Sequence, residues 1–221
     1  VFAMPETGIG FHPDVGGAYF LPRLPGRLGY WMGLTGARLK AADCLASGVA
    51  THYVPSARQG ELLARLTRET LDHDGERLEA ILGEFETDPG PSDLALSMPL
   101  IDAAFDAPDV DAVLARLDAA GDRWSRGQAE ILHAKSPTSL ELTFEALSRG
   151  ASLSLREVMA QDLRVSMRCL APGSDFYEGV RAVILDKDNQ PRWGEAASAA
   201  SLAGYFEPLD AEHEMSFLDS Q

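Results

Sequence analysis

The sequence predicts an α/β fold. This chain corresponds to the second half of that fold and continues as a mostly helical region. Two observations lead to this prediction. Between Val1 and about Val54 the chain is rich in glycine, and its first apolar segment, Val1–Met4, is typical of the end of a buried strand. After Val54, apolar residues recur at three- and four-residue steps, which is the spacing of helices.

The first 54 residues are predicted to contain three short helices and one strand. The helices lie at about 15–21, 26–34 and 40–47, and the strand lies at Ala50–Val54. Gly48 stands where a left-handed residue would end the third helix. Because a single strand cannot bury its own faces, we expect that residues upstream of Val1 belong to the same fold and are missing here.

Several later helix starts are marked by N-cap residues. Ser or Asp followed three residues later by Glu or Gln has the spacing of a capping box. Ser followed by Pro marks a start of another kind, with proline at the first helical position. The capping-box pairs are Ser56 with Gln59, Ser154 with Glu157 and Asp175 with Glu178, and the Ser-Pro pair is Ser136 with Pro137.

The helix predicted at about 154–170 has one apolar stripe. Such a stripe indicates core packing or a surface for a partner helix. Its members are Leu155, Val158, Met159, Leu163, Met167 and Leu170. The Pro- and Gly-containing segment 86–93 is the best candidate for a linker.

The composition excludes two classes of partner. The chain has 34 acidic and 19 basic residues among 221, so its formal net charge is −15. Nucleic acids and anionic membranes bind basic faces, and we therefore expect neither as a partner. No apolar run approaches the roughly 18 residues of a membrane-spanning helix. Cys44 and Cys169 have no neighbours at metal-ligand spacing, so neither a disulfide framework nor a metal site is predicted.

Two carboxylates near the start of the chain are the candidates for chemistry. Glu6 follows the apolar Val1–Met4 run and is either a general base or nucleophile at a strand end, or an exposed loop residue. Asp14 precedes Gly16 and Gly17 and is either the second carboxylate of a pair, or the N-cap of the next helix, or both. A shared cleft would pull the two pKa values apart, so that one group acts as acid and the other as base.

Other kinds of site have weaker support. The histidines, His12, His52, His73, His133 and His213, form no metal-binding spacing, and His12 either orients a carboxylate or is a plain loop residue. The sequence contains neither the serine-hydrolase elbow nor a glycine-rich phosphate loop. Near the C-terminus a basic and aromatic cluster either contacts phosphate or adenine or forms a solvated helix end. Its members are Arg181, Lys187, Arg192 and Trp193.

Several segments occur in an order that is typical of one superfamily. They are Ala3–Gly10, Phe11–Leu24, Leu34–Gly36, Leu39–Asp43, Gly48–Val54 and Lys135–Leu140. Together they resemble the crotonase superfamily of enoyl-CoA hydratases and isomerases, and the resemblance extends to about residue 208. Asp14, together with Phe176–Lys187 and Pro191–Trp193, is similar to the branch of 3-hydroxyisobutyryl-CoA hydrolases. The fold class implied is the α/β spiral of β-β-α units found in that superfamily, here represented by a mostly helical C-terminal portion.

The resemblance implies a reaction and the residues that perform it. It implies hydrolysis of a short 3-hydroxyacyl-CoA thioester, foremost 3-hydroxyisobutyryl-CoA in valine breakdown, with Glu6 and Asp14 as catalytic residues. Pro5, Gly8, Gly16 and Gly17 are expected to bind the substrate. Neither a metal nor a cofactor is expected, since CoA is part of the substrate.

The resemblance also implies how the chain is organised. Residues 1–70 correspond to the second half of the crotonase-like core, and residues 71–221 to a helical region that covers the active site or makes contacts in a homo-oligomer. The oxyanion-hole donors of the family precede this chain, so the chain alone is expected to be weakly active or inactive. The expected location is the cytoplasm of a bacterium, or the mitochondrion in a eukaryote.

Two other functions stay open from the sequence. Within the superfamily, the chain is alternatively an enoyl-CoA hydratase or isomerase, for which Asp14 would matter less. Outside catalysis, the helical C-terminal portion is alternatively an association module without chemistry of its own.

Overall fold

The structure, a computed structural model, describes residues 1–70 and 75–217. Helices make up most of these residues. In chain order they are α1 (Gly17–Phe20), α2 (Leu28–Thr35), α3 (Ala41–Ser47), α4 (Gln59–Leu66), α5 (Glu76–Phe85), α6 (Leu94–Phe105), α7 (Val110–Ala120), α8 (Arg123–His133), α9 (Pro137–Gly150), α10 (Leu155–Cys169), α11 (Asp175–Val180) and α12 (Ala199–Gly204). Short 3-10 turns at Glu6–Ile9, Leu21–Arg23 and Ser56–Arg58 and a π-helical turn at Arg181–Leu185 complete the set.

The three early helices are confirmed, but the strand is wrong. Across the described residues, β-pairing is limited to one antiparallel bridge between Phe2 and Leu39. The segment 50–54 is irregular, although its backbone is bonded through Ala50 N–H to the Cys44 carbonyl. A strand needs a neighbouring strand to satisfy its backbone, and none of the described residues supplies one for this segment.

The chain forms two compact units that alternate along the sequence. The first consists of Val1–Phe2 and Leu39–Leu96, and the second of Ala3–Arg38 and Ser97–Gln221. The predicted division into residues 1–70 and 71–221 concerns the family's core and its added helices, and it stays a prediction.

The second unit carries the candidate carboxylates on a scaffold of helices. α9 packs against α1 and α2, and α10 packs against α1 and α9. The apolar side chains between them are fully buried, and each such leucine removed from water stabilises the fold by about 2 kcal/mol. The largest are Leu21, Leu28, Met32, Leu34, Leu142 and Leu147.

Two of the four marked helix starts are confirmed and two are wrong. Ser136 caps α9, accepting the Ser139 N–H at 3.0 Å, and Ser154 forms the predicted capping box at α10. Ser56 is instead the first residue of a 3-10 turn. Asp175 begins α11 without capping it, because its carboxylate is bonded to the hydroxyl of Ser136, at 2.6 Å, and to the amide of Gly194. At Asp175 tertiary partners thus replaced the capping bond.

The apolar stripe of α10 is mostly outside the core, so for most of its members only the second alternative, a surface for a partner helix, stays open. Leu155, Met167 and Leu170 are 50%, 42% and 43% exposed. Of the stripe, only Val158 is buried, and it shares the buried face with Val165, Cys169 and two polar residues, Gln161 and Asp162. No helix in 1–70 or 75–217 has the length and hydropathy needed to cross a membrane.

Candidate functional site

The first candidate carboxylate lies in a turn that is anchored to α2. Glu6 is the first residue of the 3-10 turn that ends at Ile9. The next residue, Thr7, is fully buried and donates its hydroxyl to the Leu34 carbonyl at 3.1 Å. Gly8 N–H closes the turn onto the Pro5 carbonyl at 2.9 Å. These bonds fix the backbone from which the Glu6 side chain projects.

The carboxyl group of Glu6 lies in an environment that favours its protonated form. Its Oε2 atom is buried and accepts no hydrogen bond from the described residues. Burial raises the pKa of Glu6 to about 7, the Glu6 backbone N–H acts against this, and the charge of Asp14 adds to it. A carboxyl group that titrates near neutrality is suited to general acid–base work or to nucleophilic attack in a dry site.

Asp14 lies at the start of a strained turn. Gly17 N–H donates to the Asp14 carbonyl at 2.8 Å, and Val15 and Gly16 between them have φ of 48° and 87°. This is the pattern of a type I′ turn, which is unusual for a β-branched residue. The interpretation of Asp14 as an N-cap is wrong, since the N-cap of α1 is Gly16 and no side chain bonds its first turn. Burial raises the pKa of Asp14 as well.

The structure therefore brings the two predicted carboxylates together. They are close enough for the charge of Asp14 to raise the pKa of Glu6. Their roles in catalysis stay predictions.

A third carboxylate, Asp162 on α10, joins them and was missed by the sequence analysis. Its side chain accepts the Gly16 N–H through Oδ2 at 2.8 Å, and its Oδ1 is buried without a partner among the described residues. Burial raises the pKa of Asp162 to about 7, the Gly16 bond acts against this, and the charge of Asp14 adds to it. The available signal was an aspartate in step with Val158, Val165 and Cys169, where helical spacing places an apolar residue.

His12 is a buried residue and does not orient a carboxylate. Its Nε2 and the Ser166 Oγ on α10 form a hydrogen bond of 3.0 Å, and its ring is fully buried beside Phe11. Burial lowers the pKa of His12 to about 4, so the ring is neutral at physiological pH. His52 Nε2 lies 3.2 Å from the carboxylate of Glu79, and His73 lies outside the described residues.

The four predicted substrate-binding residues lie within or next to the segment from Glu6 to Gly17 that carries both carboxylates, here called the carboxylate loop. Pro5 is exposed. A Cβ atom on Gly8 would lie 3.2 Å from the Lys135 Nζ, and burial lowers the pKa of that lysine. A Cβ atom on Gly17 would lie 3.0 Å from Pro13, so this glycine is needed for packing. A Cβ atom on Gly16 would meet Leu155 and Met159 at ordinary contact distances.

Two members of the C-terminal basic cluster, Arg181 and Trp193, are engaged within the protein. Arg181 bonds the carboxylates of Glu178, Asp186 and Asp188, and Trp193 donates its indole N–H to the Ala134 carbonyl at 3.0 Å. These contacts hold the loop after α11, and the guanidinium group of Arg181 is paired with acidic side chains of the same protein. In residues 1–70 and 75–217, no group of three or more His, Cys, Asp or Glu side chains is arranged to hold a metal ion.

Comparisons with known proteins show a matching family model and similar relatives. The family model described as enoyl-CoA hydratase/isomerase matches residues 1–204. The mitochondrial 3-hydroxyisobutyryl-CoA hydrolase of Danio rerio is 42% identical in an alignment 215 residues long, which covers 94% of this chain and 54% of the relative. The chain thus spans about half the length of the curated relatives it matches.

Two solved structures share the fold. A carnitinyl-CoA dehydratase from Mycobacterium thermoresistibile has a TM-score of 0.84 and 34% identity, over 99% of this chain and 62% of that chain. An enoyl-CoA hydratase from Rhodobacter sphaeroides 2.4.1 has a TM-score of 0.81 and 33% identity, over 97% of this chain and 61% of that chain.

Proposed function

The chain belongs to the enoyl-CoA hydratase/isomerase family, and from that premise we propose that the complete protein hydrolyses the thioester of a short 3-hydroxyacyl-CoA. The family membership confirms the resemblance drawn from the sequence and the crotonase-type α/β fold class, of which the chain holds a mostly helical part. The preferred substrate is 3-hydroxyisobutyryl-CoA, the compound in the name of the Danio rerio relative. The observation that carries the proposal is the pairing of Glu6, whose pKa is raised to about 7, with Asp14.

The two carboxylates divide the chemistry of thioester cleavage. Glu6 either attacks the carbonyl carbon, forming an anhydride that water then cleaves to release the acid, or takes a proton from a water that adds to that carbon. In both routes the carbon–sulfur bond breaks, and the leaving CoA thiolate takes up a proton that comes from the water. Asp14 accepts a hydrogen bond from the 3-hydroxyl group of the substrate and assists the departure of the thiolate. If Glu6 attacks directly, hydroxylamine will trap the resulting anhydride as a hydroxamate on Glu6, whereas general-base hydrolysis leaves Glu6 unmodified.

The residues of this chain do not act alone in the proposal. Negative charge develops on the thioester oxygen, and a pair of backbone N–H donors aimed at it is worth several kcal/mol. The chain accounts for only 54% of the Danio rerio relative, and we assign these donors to the remainder of the complete protein. Hence the 221-residue chain by itself is weakly active or inactive. Full hydrolase turnover by that chain would overturn this part of the proposal.

Hydration of an enoyl-CoA is the second candidate, because the two solved structures with the same fold are named as a dehydratase and a hydratase. The two reactions differ in their need for Asp14. Replacing Asp14 with Gly is expected to abolish thioester hydrolysis, while a hydratase that relies on Glu6 would keep much of its activity.

The test of the proposal follows free thiol release from 3-hydroxyisobutyryl-CoA by the complete protein, with Glu6→Gln as the control and crotonyl-CoA as the competing substrate. Thiol release that disappears in the control supports hydrolysis through Glu6. Loss of the crotonyl double bond without thiol release would identify a hydratase instead.

The remaining assignments follow from the same proposal. The reaction uses neither a metal nor a cofactor, and the complete protein acts in the bacterial cytoplasm or in a mitochondrion, as in the name of the Danio rerio relative. A homo-oligomer is the proposed assembly. Measuring the mass in solution also tests the association-module alternative, which requires a monodisperse oligomer without thiol release.

A further inference from the structure

Two side chains on one face of α10 form hydrogen bonds with the loop that carries Asp14. Asp162 Oδ2 accepts the Gly16 N–H at 2.8 Å, and one helical turn later Ser166 Oγ bonds the His12 ring at 3.0 Å. Asp14 lies midway between the two anchored residues. Residues four apart lie on the same face of a helix, so both anchors point to the same side of α10.

The bond from Asp162 acts on the strained part of the loop. The amide that it binds joins Val15, with φ of 48°, to Gly16, with φ of 87°. A β-branched residue in the left-handed region is unfavourable and persists only where its surroundings impose it. Asp162 supplies that constraint from a helix 146 residues away in sequence. Without it, the turn is free to relax and to carry the Asp14 side chain with it.

Burying an aspartate carries a large desolvation penalty if its side chain only accepts one hydrogen bond from the backbone. Asp162 is 4% exposed, and its Oδ1 finds no partner among the described residues. A buried carboxylate oxygen without a partner is unfavourable, and such groups cluster at sites where they serve function. The charge of Asp14 also acts on Asp162 and raises its pKa.

We propose that Asp162 is a positioning residue for the reaction, holding the Gly16 amide through Oδ2 and thereby fixing the orientation in which Asp14 meets the substrate. The inference rests on the proposed function, because Asp162 acts through Asp14. It assigns no contact between Asp162 and the substrate.

The test compares two substitutions in the complete protein, Asp162→Ala and Asp162→Asn, by thiol release from 3-hydroxyisobutyryl-CoA. Alanine removes the acceptor for Gly16, and a displacement of about 1 Å at a reacting group costs about 100-fold in rate. We therefore expect Asp162→Ala to lower kcat about 100-fold with KM changed less than about threefold. Asparagine keeps an oxygen at the same position, and its kcat is expected within about fivefold of the wild type.

A matched control and a double substitution separate positioning from general stability. Gln161 is the neighbouring residue, is 5% exposed, and donates to the Ala146 carbonyl away from the loop. Gln161→Ala is expected to leave kcat unchanged. In the Asp14→Asn background, Asp162→Ala is expected to cause little further loss, because residues that act through one another are not additive.

Several outcomes would overturn the inference. These are an unchanged kcat in Asp162→Ala, an equal loss in Asp162→Asn, an equal loss in Gln161→Ala, or a full further loss in the Asp14→Asn background. If Asp162→Ala does not fold, Asp162→Ser replaces it, since a serine hydroxyl is too short to reach the Gly16 amide. A wild-type protein without thiol release would refute the proposed function itself, which distinguishes that failure from a failure of the positioning role.

Discussion

Replacing Gly10 with alanine tests how tightly the carboxylate loop is held against α11. Gly10 lies midway between Glu6 and Asp14, with φ of +71°, and an added Cβ would lie 2.4 Å from the carbonyl carbon and oxygen of Asp175. The left-handed conformation costs alanine about 1 kcal/mol. The overlap with the α11 backbone adds about 2 kcal/mol, since backbone cannot rotate away as a side chain would.

The matched control is Gly121→Ala at the end of α7. Gly121 has φ of +61°, but a Cβ there would meet only the Asp118 carbonyl oxygen at 3.8 Å, an ordinary contact. Gly121→Ala should therefore lower the free energy of unfolding by about 1 kcal/mol, the cost of the left-handed conformation alone. Urea denaturation of the complete protein should show Gly10→Ala to be about 3 kcal/mol less stable than the wild type.

The same substitution should also reduce activity. A shift of the Gly10 segment moves both carboxylates, and we expect thiol release to fall about 100-fold in Gly10→Ala. Gly121→Ala should keep the wild-type rate. Equal losses of stability in the two variants, or full activity in Gly10→Ala, would refute the reasoning that backbone contact with α11 sets the geometry of the loop.

Three further substitutions test single features of the second unit. Val15→Asn should raise the free energy of unfolding by about 1 kcal/mol, because asparagine tolerates a positive φ far better than valine, and a loss of stability in urea would contradict the strain at Val15. Ser136→Ala removes the N-cap of α9 and the bond to Asp175, so urea denaturation should show a loss of about 2 kcal/mol, and an unchanged midpoint would contradict both bonds. Burial raises the pKa of Asp162 from 3.8 to about 7, so the native state binds the carboxyl proton more tightly than the unfolded chain does. The stability that this group contributes is therefore present below about pH 4 and is lost as the pH rises through 7. At pH 8 the raised pKa destabilises the wild type by about 4 kcal/mol, whereas burying the amide N–H groups of asparagine costs about 2 kcal/mol at either pH. Asp162→Asn should therefore be about 2 kcal/mol more stable than the wild type at pH 8 and about 1 to 2 kcal/mol less stable at pH 4; the same difference in stability at both pH values would contradict the raised pKa.

Local patterns in the sequence predicted the features that neighbouring residues determine. The three early helices, the cap at Ser136 and the capping box at Ser154 depend on residues within a few positions, and all are confirmed. The predicted box at Asp175 failed because Ser136, 39 positions earlier, takes its carboxylate. A pattern of spacing cannot show a competing partner that only the tertiary fold brings near.

The buried face of α10 shows the same limit more strongly. The apolar stripe that includes Leu155 and Met167 was interpreted as either a core face or a surface for a partner helix, and these two residues are half-exposed. The face that is buried contains Asp162, whose partner Gly16 is 146 residues away. Hydrophobic periodicity identifies core faces that are apolar. It therefore does not identify a buried helix face that includes a carboxylate with a specific role.

The central claim is that ionised Glu6 performs the cleavage, and the pH profile of kcat/KM for thiol release tests it most directly. The pKa of Glu6 is raised to about 7 in a setting that includes Asp14, so kcat/KM should rise with pH and level off above about 7. The Glu6→Gln variant should show no such rise and no significant thiol release. A profile that is flat from about pH 5 to 8, or thiol release that persists in Glu6→Gln, would contradict the account.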